Sequence, residues 1–329
     1  MKKAFDTVKH SVLFKKLLDR NLSQIFTRII IIMYMSQSAN VKWGNKQSDS
    51  FSITNGLKQG AVMSAILFCI YIGDLIKQLR RNRTGCWIEG DFVGAIIYAD
   101  DIVLLSPTID GLQKMINTCR NYTDKHNLTF SVHDNPVKSK TKCMAFLKNK
   151  THLRQMMLKD KALPWVNSTK HLGVTLTDNS NMTNQDTLEK RAQYIARNNE
   201  LMQEFHYASP SVKSKINSVY NTHFYGAPLW DLFPKTFQHV EKSWNISQRI
   251  MFDLFTTRTT HRYLIEPLSA NTHIVTLIWK RFLKFTRMVH ESRKKVLRNL
   301  FNNIKYERRI MLITNHDVYN KADLEFNSK

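Results

Sequence analysis

The sequence has 329 residues, 43% of them hydrophobic, with only 10 glycines and 7 prolines. This excludes a linker or low-complexity chain and suffices for one large or two ordinary domains. Its formal net charge is +23, from 49 lysines and arginines against 26 acidic residues. The excess is larger than solubility requires, so it favours an anionic partner, with nucleic acid ahead of an anionic membrane surface.

The lengths of the apolar runs and the spacing of the cysteines indicate the cellular compartment of the chain. The two longest apolar runs, residues 29–35 and 61–73, fall short of the roughly 18 residues that a membrane-spanning helix needs. The N-terminus begins with lysines but has no apolar stretch after them, so it does not read as a secretory signal. The four cysteines, at positions 69, 86, 119 and 143, lack metal-ligand spacing. We expect an intracellular, soluble chain in a reducing compartment, without zinc or a membrane partner.

Before residue 82, the predicted elements are helices and one hairpin. Apolar residues recur every three or four positions in the helices, whereas polar and apolar residues alternate in the hairpin. Asp6-Thr7 is placed to cap the first helix, and Ser23 the second. The predicted elements are helices over 8–19 and 24–35, a hairpin with a following turn over 39–60, and a long buried helix over 61–81.

The stretch GAIIYADDIVLLS, residues 94–106, places Asp100 and Asp101 side by side between two apolar runs. Each run is typical of a strand buried on both faces, so the pair lies at the tip of a predicted hairpin. Adjacent carboxylates repel each other, so a positive group is expected nearby. The pair is either an ordinary turn, which Asp favours, or a site for a hard cation such as Mg²⁺. Two such ions could promote phosphoryl transfer.

The rest of the chain is predicted to change from mixed structure to helix. Asp110 is placed to cap a helix over 111–127, and strands are predicted at 128–132, 141–147 and 170–177. Beyond a polar segment at 178–186 almost everything is predicted helical, most clearly at 274–295. One stripe of that helix is basic and consists of Lys280, Lys284 and Arg287. This stripe either contacts a nucleic-acid backbone or is simply a solvated surface. This order predicts an α+β fold, an antiparallel sheet with helices on one face.

Several motifs together resemble the reverse transcriptases of non-LTR, long-interspersed-element-type retrotransposons. Tyr98-Ala99-Asp100-Asp101 resembles their palm signature, and its neighbours strengthen the resemblance. The matching stretches are AFDTVKHSVLFKKL (first palm motif), GLKQGAVMSAILFCIYIGDL (second motif), NPVKSKTKCMAF (lysine segment), KHLGVTL (primer grip), and YGAPLWD with TTRTTHRYLIEPLS, which are similar to stretches of jockey-like and chicken-repeat-like elements.

The resemblance implies an RNA-directed DNA polymerase that extends a DNA primer on an RNA template with dNTPs. It implies that Asp100 and Asp101 are catalytic and bind two Mg²⁺ ions. It also implies that Phe5 lies under the nucleotide sugar, where its ring excludes a 2′-hydroxyl. Without the family, Phe5 is equally well interpreted as a core aromatic residue. The remaining implied roles are nucleotide binding for Gln59, Gly60 and Lys140, and the primer grip for His171, Leu172 and Gly173. Lys140 or Lys142 is also implied to stabilise charge that develops on the phosphate. Without the family, Gln59-Gly60 is a turn before a helix and each lysine is a surface residue beside a strand. Nuclear localisation is a further expectation of the family.

The sequence departs from the family's pattern at its start. The first metal-binding aspartate of the family precedes the sugar-stacking aromatic by five residues, a place that lies before Met1 when counted from Phe5. We therefore expect an N-terminally truncated chain with little polymerase activity alone, made of a partial palm (1–177, without fingers and first palm strand), a linker (178–186) and a thumb-like helical region (187–329). The alternative is a degenerate remnant that only binds nucleic acid. A metal-dependent nuclease is disfavoured, since no further acidic or histidine cluster accompanies the pair.

Overall fold

The computed structural model describes residues 1, 3–133, 135, 138–147, 153–179, 182–221, 224–230, 235–252, 254 and 273–303. Two compact units divide the chain. Residues 1–143 and 149–165 form the first, and residues 144–148 and 166–329 form the second. The division falls after Trp165, ahead of the predicted linker at 178–186, because the hairpin over 168–177 packs on the helix that follows it.

The first unit combines helices with short antiparallel strand pairs. Its helices are α1 (His10–Leu18), α2 (Gln24–Met35), α3 (Ser64–Arg81) and α4 (Ile109–Lys125). Its strand pairs are β1 (Ser38–Ala39) with β4 (Phe51–Ser52), β2 (Lys42–Trp43) with β3 (Lys46–Gln47), β5 (Trp87–Ile88) with β6 (Asp91–Phe92), β7 (Ala95–Tyr98) with β8 (Asp101–Leu104), and β9 (Met156–Leu158) with β10 (Lys161–Leu163).

The predicted α+β class is confirmed, but the strands do not form one continuous sheet. Within the described residues each strand is two to four residues long and pairs with a single neighbour. The strands predicted at 128–132 and 141–147 are wrong. Leu128 is buried, yet this stretch makes only scattered backbone bonds, and an isolated bridge joins Cys143 to Trp165.

Helix α3 is the centre of the first unit's core, as the predicted long buried helix requires. Its side chains recur at three- and four-residue spacing and are nearly inaccessible to solvent at Leu67, Phe68, Tyr71, Leu75 and Leu79. This face packs against α1 and α4. The resulting core supports both the β7–β8 hairpin and the N-terminal turn that precedes α1.

A partly buried polar network joins α1, α3 and α4. The Lys16 ammonium donates to the Asp74 carboxylate at 2.6 Å and to the Tyr122 hydroxyl at 3.0 Å. The Tyr122 hydroxyl in turn donates to the Tyr71 carbonyl at 2.7 Å. The hydrogen bond and charge of Lys16 hold the pKa of Asp74 below its usual value, and burial raises the pKa of Tyr122. The network fixes the mutual placement of the three helices.

His126, at the end of α4, is expected to make the first unit sensitive to mild acid. Burial, with the charges of Lys16 and Lys125, lowers the pKa of its imidazole from 6.5 to about 4. Between about pH 6.5 and 4 the unfolded chain therefore binds a proton that the folded chain does not, so stability falls as the pH falls through this window. We expect His126→Asn to flatten the pH dependence of the unfolding temperature there, as measured by near-ultraviolet circular dichroism. An unchanged slope in the variant would contradict this assignment.

The second unit is predominantly helical in its described residues. It contains the hairpin of β11 (Ser168–His171) and β12 (Val174–Thr177), then α5 (Asn184–Glu204), α6 (Pro210–Tyr220), a 3₁₀ turn (Ala227–Leu229), α7 (Lys235–Met251), α8 (Ile274–His290) and α9 (Lys295–Asn303). Its core contains several aromatic side chains: Tyr194, Phe224, Trp230, Phe237 and Trp244.

A buried carboxylate ties three elements of the second unit together. Asp186 is 1% exposed and lies in the first turn of α5. Its Oδ1 accepts a hydrogen bond from the backbone N–H of Thr175 on β12 at 3.0 Å, and its Oδ2 accepts one from the indole N–H of Trp230 at 2.8 Å. Both oxygens are therefore committed to buried donors, and the side chain has a structural role.

Two of the predicted helix caps are wrong. Helix α1 begins at His10 rather than near Val8, and the carboxylate of Asp6 accepts from Gln59 instead of capping it. Helix α4 is capped by Thr108, whose side chain accepts from the Gly111 N–H, while Asp110 lies in the first turn. None of the described helices is both long enough and apolar enough to cross a membrane.

Candidate active site

The two aspartates lie where the β7–β8 hairpin turns. Cross-strand pairing of Tyr98 with Asp101 leaves Ala99 and Asp100 as a two-residue loop, and Ala99 has a positive φ of +50°. Positive φ at this position is characteristic of tight hairpin turns. Asp100 therefore lies in the turn, with its side chain 39% exposed, and Asp101 is the exposed first residue of β8. The predicted hairpin with the pair at its tip is confirmed.

One face of this hairpin is open, so the prediction that its strands are buried on both faces is wrong. Ile97 and Ile102 pack with the core of the first unit. On the opposite face Ile96 is 52% exposed and Tyr98 is 66% exposed. Because directly opposed residues share a face, Asp101 lies on the open face with Tyr98.

The backbone nitrogen of Met1 lies beside the aspartate pair. It donates to the backbone carbonyl of Asp100 at 2.9 Å and lies 3.7 Å from the Asp100 carboxylate oxygen Oδ2. A residue joined to this amino group would therefore enter next to Asp100.

Oxygen donors of this kind suit a hard divalent cation. Two carboxylates, one in the turn and one at the strand start, match the donor preference of Mg²⁺, which keeps several waters and needs few protein ligands. Among the described residues, no group of three or more histidine, cysteine or acidic side chains is arranged to hold a metal. The pair therefore offers two carboxylates that could serve as ligands of a divalent cation.

Phe5 lies in the turn before α1, half-buried against the core. Its ring stacks on Phe68, with centroids 4.9 Å apart and planes 25° apart. The Leu57 N–H donates to the Phe5 carbonyl at 2.8 Å, and the Gly56 N–H donates to the Val8 carbonyl at 2.8 Å. These bonds bind the N-terminal turn to the loop that carries the predicted nucleotide-binding Gln59 and Gly60.

Gln59 and Gly60 lie at the exposed end of that loop. The Gln59 side-chain amide donates to the Asp6 carboxylate at 3.1 Å. Gly60 has a φ of +79°, and a side chain there would meet open space, so the backbone conformation rather than crowding requires glycine. Both Asp6 and Gln59 line a cavity of about 350 Å³, together with Gln37, Ser38, Ile53, Asn55, Gly56, Leu57 and Lys58. Its volume is at the lower end of the range for small-molecule sites.

The contact of Asp6 with Gln59 is one that sequence reasoning missed. The position of Asp6 after the aromatic suggested a helix cap, and the partner 53 residues away could not be read from local spacing. Because the amide nitrogen of Gln59 donates to Asp6, its amide oxygen is the atom that can accept a hydrogen bond from a ligand.

The predicted catalytic lysines flank Thr141 in an irregular segment of the first unit. Lys140 is exposed and Lys142 is half-buried. The backbone there is held by the Thr141 N–H, which donates to the Ser131 carbonyl at 3.1 Å. Residues 136 and 137 of the same motif lie outside the described residues, as do residues 256–269 of the last resembling stretch.

The predicted primer-grip residues form the turn between β11 and β12 in the second unit. His171 pairs with Val174, which leaves Leu172 and Gly173 as a two-residue loop with φ values of +46° and +81°. Two positive φ angles define the tightest hairpin turn, which favours glycine. A side chain at Gly173 would approach the Tyr225 ring within 3.1 Å, so the turn is held against Tyr225.

The predicted basic stripe lies on α8 in the second unit. Lys284 and Arg287 are exposed and Lys280 is half-buried, whereas Ile278 and Phe282 on the opposite side are buried. The Arg287 guanidinium donates to Glu291 at 2.8 Å, and this contact raises its pKa. Part of the stripe's charge is thus offset by an acidic neighbour.

Comparison with known proteins identifies a family and several relatives. Residues 1–176 match the family model described as Reverse transcriptase (RNA-dependent DNA polymerase). The chain is similar to the Retrovirus-related Pol polyprotein of the type-1 retrotransposable element R2, with 28% identity over 117 residues in Nasonia vitripennis and 26% over 121 residues in Popillia japonica. It is also 27% identical over 115 residues to the polyprotein of the type-2 element R2DM from Drosophila melanogaster. Each match covers 35–36% of this chain but only 11–20% of the relative.

Proposed function

Because this chain belongs to the reverse transcriptase (RNA-dependent DNA polymerase) family, we propose that it is the palm and adjoining helical region of an RNA-directed DNA polymerase from a non-LTR retrotransposon. Its reaction would be extension of a DNA primer on an RNA template with dNTPs. The observation that carries this proposal is the β7–β8 hairpin, which presents Asp100 in a two-residue turn and Asp101 on an open face.

The carboxylates of Asp100 and Asp101 would hold the divalent cations that such chemistry requires, and we propose two Mg²⁺ ions. When bound, these ions would supply charge stabilisation for the attacking and leaving oxygens. We place the third carboxylate directly on the N-terminal side of Met1. The support for this placement is that the Met1 amino group lies 2.9 Å from the Asp100 carbonyl, so a preceding residue enters at the pair.

Other residues of the chain would position the substrates. The amide oxygen of Gln59, whose amide nitrogen donates to Asp6, would accept a hydrogen bond from the incoming nucleotide, and the open backbone at Gly60 would let the template base pair approach. Lys140 or Lys142 would stabilise charge that develops on the transferred phosphate. In the second unit, the His171–Gly173 turn would position the primer end, and the exposed cations of α8 would contact the nucleic-acid backbone.

Phe5 is expected to separate deoxyribonucleotides from ribonucleotides. Its ring is fixed by stacking on Phe68, so a sugar resting on its edge would meet a rigid surface where a 2′-hydroxyl projects. We expect Phe5→Val to raise ribonucleotide incorporation relative to deoxyribonucleotide incorporation about tenfold, roughly 1.4 kcal/mol of lost discrimination. The ratio of the two rates is measured, since it is independent of how much enzyme is folded. Phe5→Tyr, which keeps the ring, should leave the ratio near that of the parent, and equal ratios in all three proteins would refute the role.

A second candidate function is a non-catalytic nucleic-acid-binding remnant. It is favoured by the net charge of +23, which matches the phosphates of a nucleic acid without requiring any catalytic group. Primer extension on an RNA template with increasing Mg²⁺ distinguishes the two. The polymerase predicts metal-dependent extension once a carboxylate precedes Met1. The remnant predicts salt-sensitive binding without extension under any such restoration.

We further propose the finer features that the motifs suggest. These are a jockey-like or chicken-repeat-like lineage, the partial palm (1–177), linker (178–186) and thumb-like region (187–329) as functional parts, and nuclear localisation. The R2 matches support the non-LTR assignment of the chain, and fractionation of cells that express a tagged chain tests its localisation.

A further inference from the structure

The β2–β3 hairpin presents a tryptophan to solvent at its tip. Pairing of Trp43 with Lys46 leaves Gly44 and Asn45 as the two-residue turn, and Gly44 has a φ of +58°. All four paired residues of the hairpin are exposed, and the Trp43 side chain is 84% exposed. In contrast, Trp230 and Trp244 are 1% and 3% exposed in the core of the second unit. Tryptophan side chains are highly buried on average, whereas the Trp43 side chain is not.

The hairpin is held in place at its base, so the tryptophan is carried on an ordered element. The Ser48 N–H donates to the Val41 carbonyl at 2.9 Å, and the Val41 N–H donates to the Ser48 hydroxyl at 2.9 Å. Strands β1 and β4 continue the same ribbon through pairing of Ser38 with Ser52. A platform whose backbone is already ordered loses less entropy when a ligand stacks on it.

The charges around Trp43 are positive. Directly opposed residues share a face, so Lys46 lies beside Trp43 on one face of the hairpin and Lys42 lies on the other. Neither lysine forms an ion pair within the part of the chain that the structure describes. The strands β2 and β3 contain no acidic residue. An exposed aromatic ring between uncompensated cations matches an anionic ligand with flat, apolar groups.

We propose that the tip of this hairpin binds single-stranded nucleic acid, with one base stacked on the Trp43 indole and the neighbouring phosphates bound by Lys46 and Lys42. Stacking suits any base, so the site would be tolerant of sequence. Nucleic acid fits better than a protein partner, because a protein that covered Trp43 would also desolvate two lysines that have no acidic partner. The site goes beyond the proposed polymerase chemistry and does not depend on it.

Equilibrium binding of the full chain to a 5′-labelled dT₁₂ oligonucleotide, followed by fluorescence anisotropy, tests the stacking. Trp43→Ala is expected to weaken binding about 5- to 150-fold, the range for loss of one stacked base, whereas Trp43→Tyr should stay within about threefold. Tyr207→Ala is the matched control, because Tyr207 is an aromatic residue 77% exposed on the second unit. We expect this control to bind dT₁₂ as the parent does.

An oligonucleotide of the same length without bases separates stacking from charge. On this abasic probe the Trp43→Ala variant should bind as the parent does, since there is nothing to stack. A plot of the logarithm of the binding constant against the logarithm of the salt concentration has a negative slope. The double variant Lys42→Gln, Lys46→Gln should make this slope shallower by about 1.4 on both probes.

Equal affinity of parent and Trp43→Ala for dT₁₂ would overturn the proposal, and so would an equal loss on both probes, which would show a general structural defect. Binding is measured without dNTPs and without divalent cations, so a failure of the polymerase assignment would leave this result unaffected.

Discussion

Replacement of Asp100 by asparagine is expected to lower the rate of nucleotide incorporation by about 10²- to 10³-fold or more, in a form of the protein that extends primers. The amide is nearly isosteric with the carboxylate but cannot offset the charge of a divalent cation, so the principal electrostatic stabilisation of the transition state is lost. The turn itself should persist, because the bond from Met1 reaches the Asp100 backbone carbonyl rather than its side chain. Rates are measured in single-turnover primer extension with saturating dNTP.

The matched control for this prediction is Asp110→Asn. Asp110 is also a surface aspartate in the first unit, 76% exposed, and its described partner is Arg154 at 3.0 Å. We expect its rate to stay within about twofold of the parent, because exposed ion pairs contribute little. Asp101→Asn should also lower the rate of nucleotide incorporation, as Asp100→Asn does. A rate for Asp100→Asn within a few-fold of the control would show that the chemistry lies elsewhere.

Replacement of Asp186 by alanine is expected to destabilise the second unit strongly. The substitution leaves the indole N–H of Trp230 and the backbone N–H of Thr175 buried without an acceptor. An unsatisfied buried donor costs about 1–3 kcal/mol, so the expected loss is about 2–6 kcal/mol. Hydrogen exchange measures it locally, as faster exchange of the β11–β12 and α5 amides.

Two variants control for the Asp186 prediction. Asp186→Asn keeps one acceptor oxygen, so its loss should be smaller than that of Asp186→Ala. Glu189→Ala removes a half-buried carboxylate that accepts from the Thr175 hydroxyl at 2.8 Å, and it should cost about 1 kcal/mol. If the amides of β11, β12 and α5 exchange at the same rates in Asp186→Ala as in Glu189→Ala, the assignment of Asp186 as an acceptor for two buried donors is wrong.

Features set by neighbouring residues could be predicted from the sequence. Helix α2 occupies residues 24–35 as its apolar spacing indicated, and α3 is the buried helix that its composition predicted. The paired aspartates were placed at a hairpin tip because two β-rich runs flank them, and the register of β7 with β8 confirms it. The chemical roles of the site residues remain predictions.

Features set by distant contacts could not be predicted. A continuous apolar run suggested a strand buried on both faces, yet Ile96 and Tyr98 are exposed because β7 pairs only with β8 and packs on one side. The contact of Asp6 with Gln59 and the two bonds of Asp186 join residues that are 53, 11 and 44 positions apart. Local spacing carries no information about such pairs. The exposed position of Trp43, in contrast, has a local signal in the stretch VKWGNK, where lysines flank a Gly-Asn turn.

The central claim, that Asp100 and Asp101 form part of a polymerase site completed from the N-terminal side of Met1, is tested most directly by two fusions. Each adds the same strand-forming segment before Met1, and one segment ends in Asp while the other ends in Asn. The Met1 amino group lies beside Asp100, so the added carboxylate would join the pair. We predict Mg²⁺-dependent extension of a DNA primer on an RNA template by the Asp fusion, at a rate at least about 100-fold above that of the Asn fusion. Equal rates in the two fusions, or no extension by the Asp fusion although it binds the template and primer, would contradict the claim.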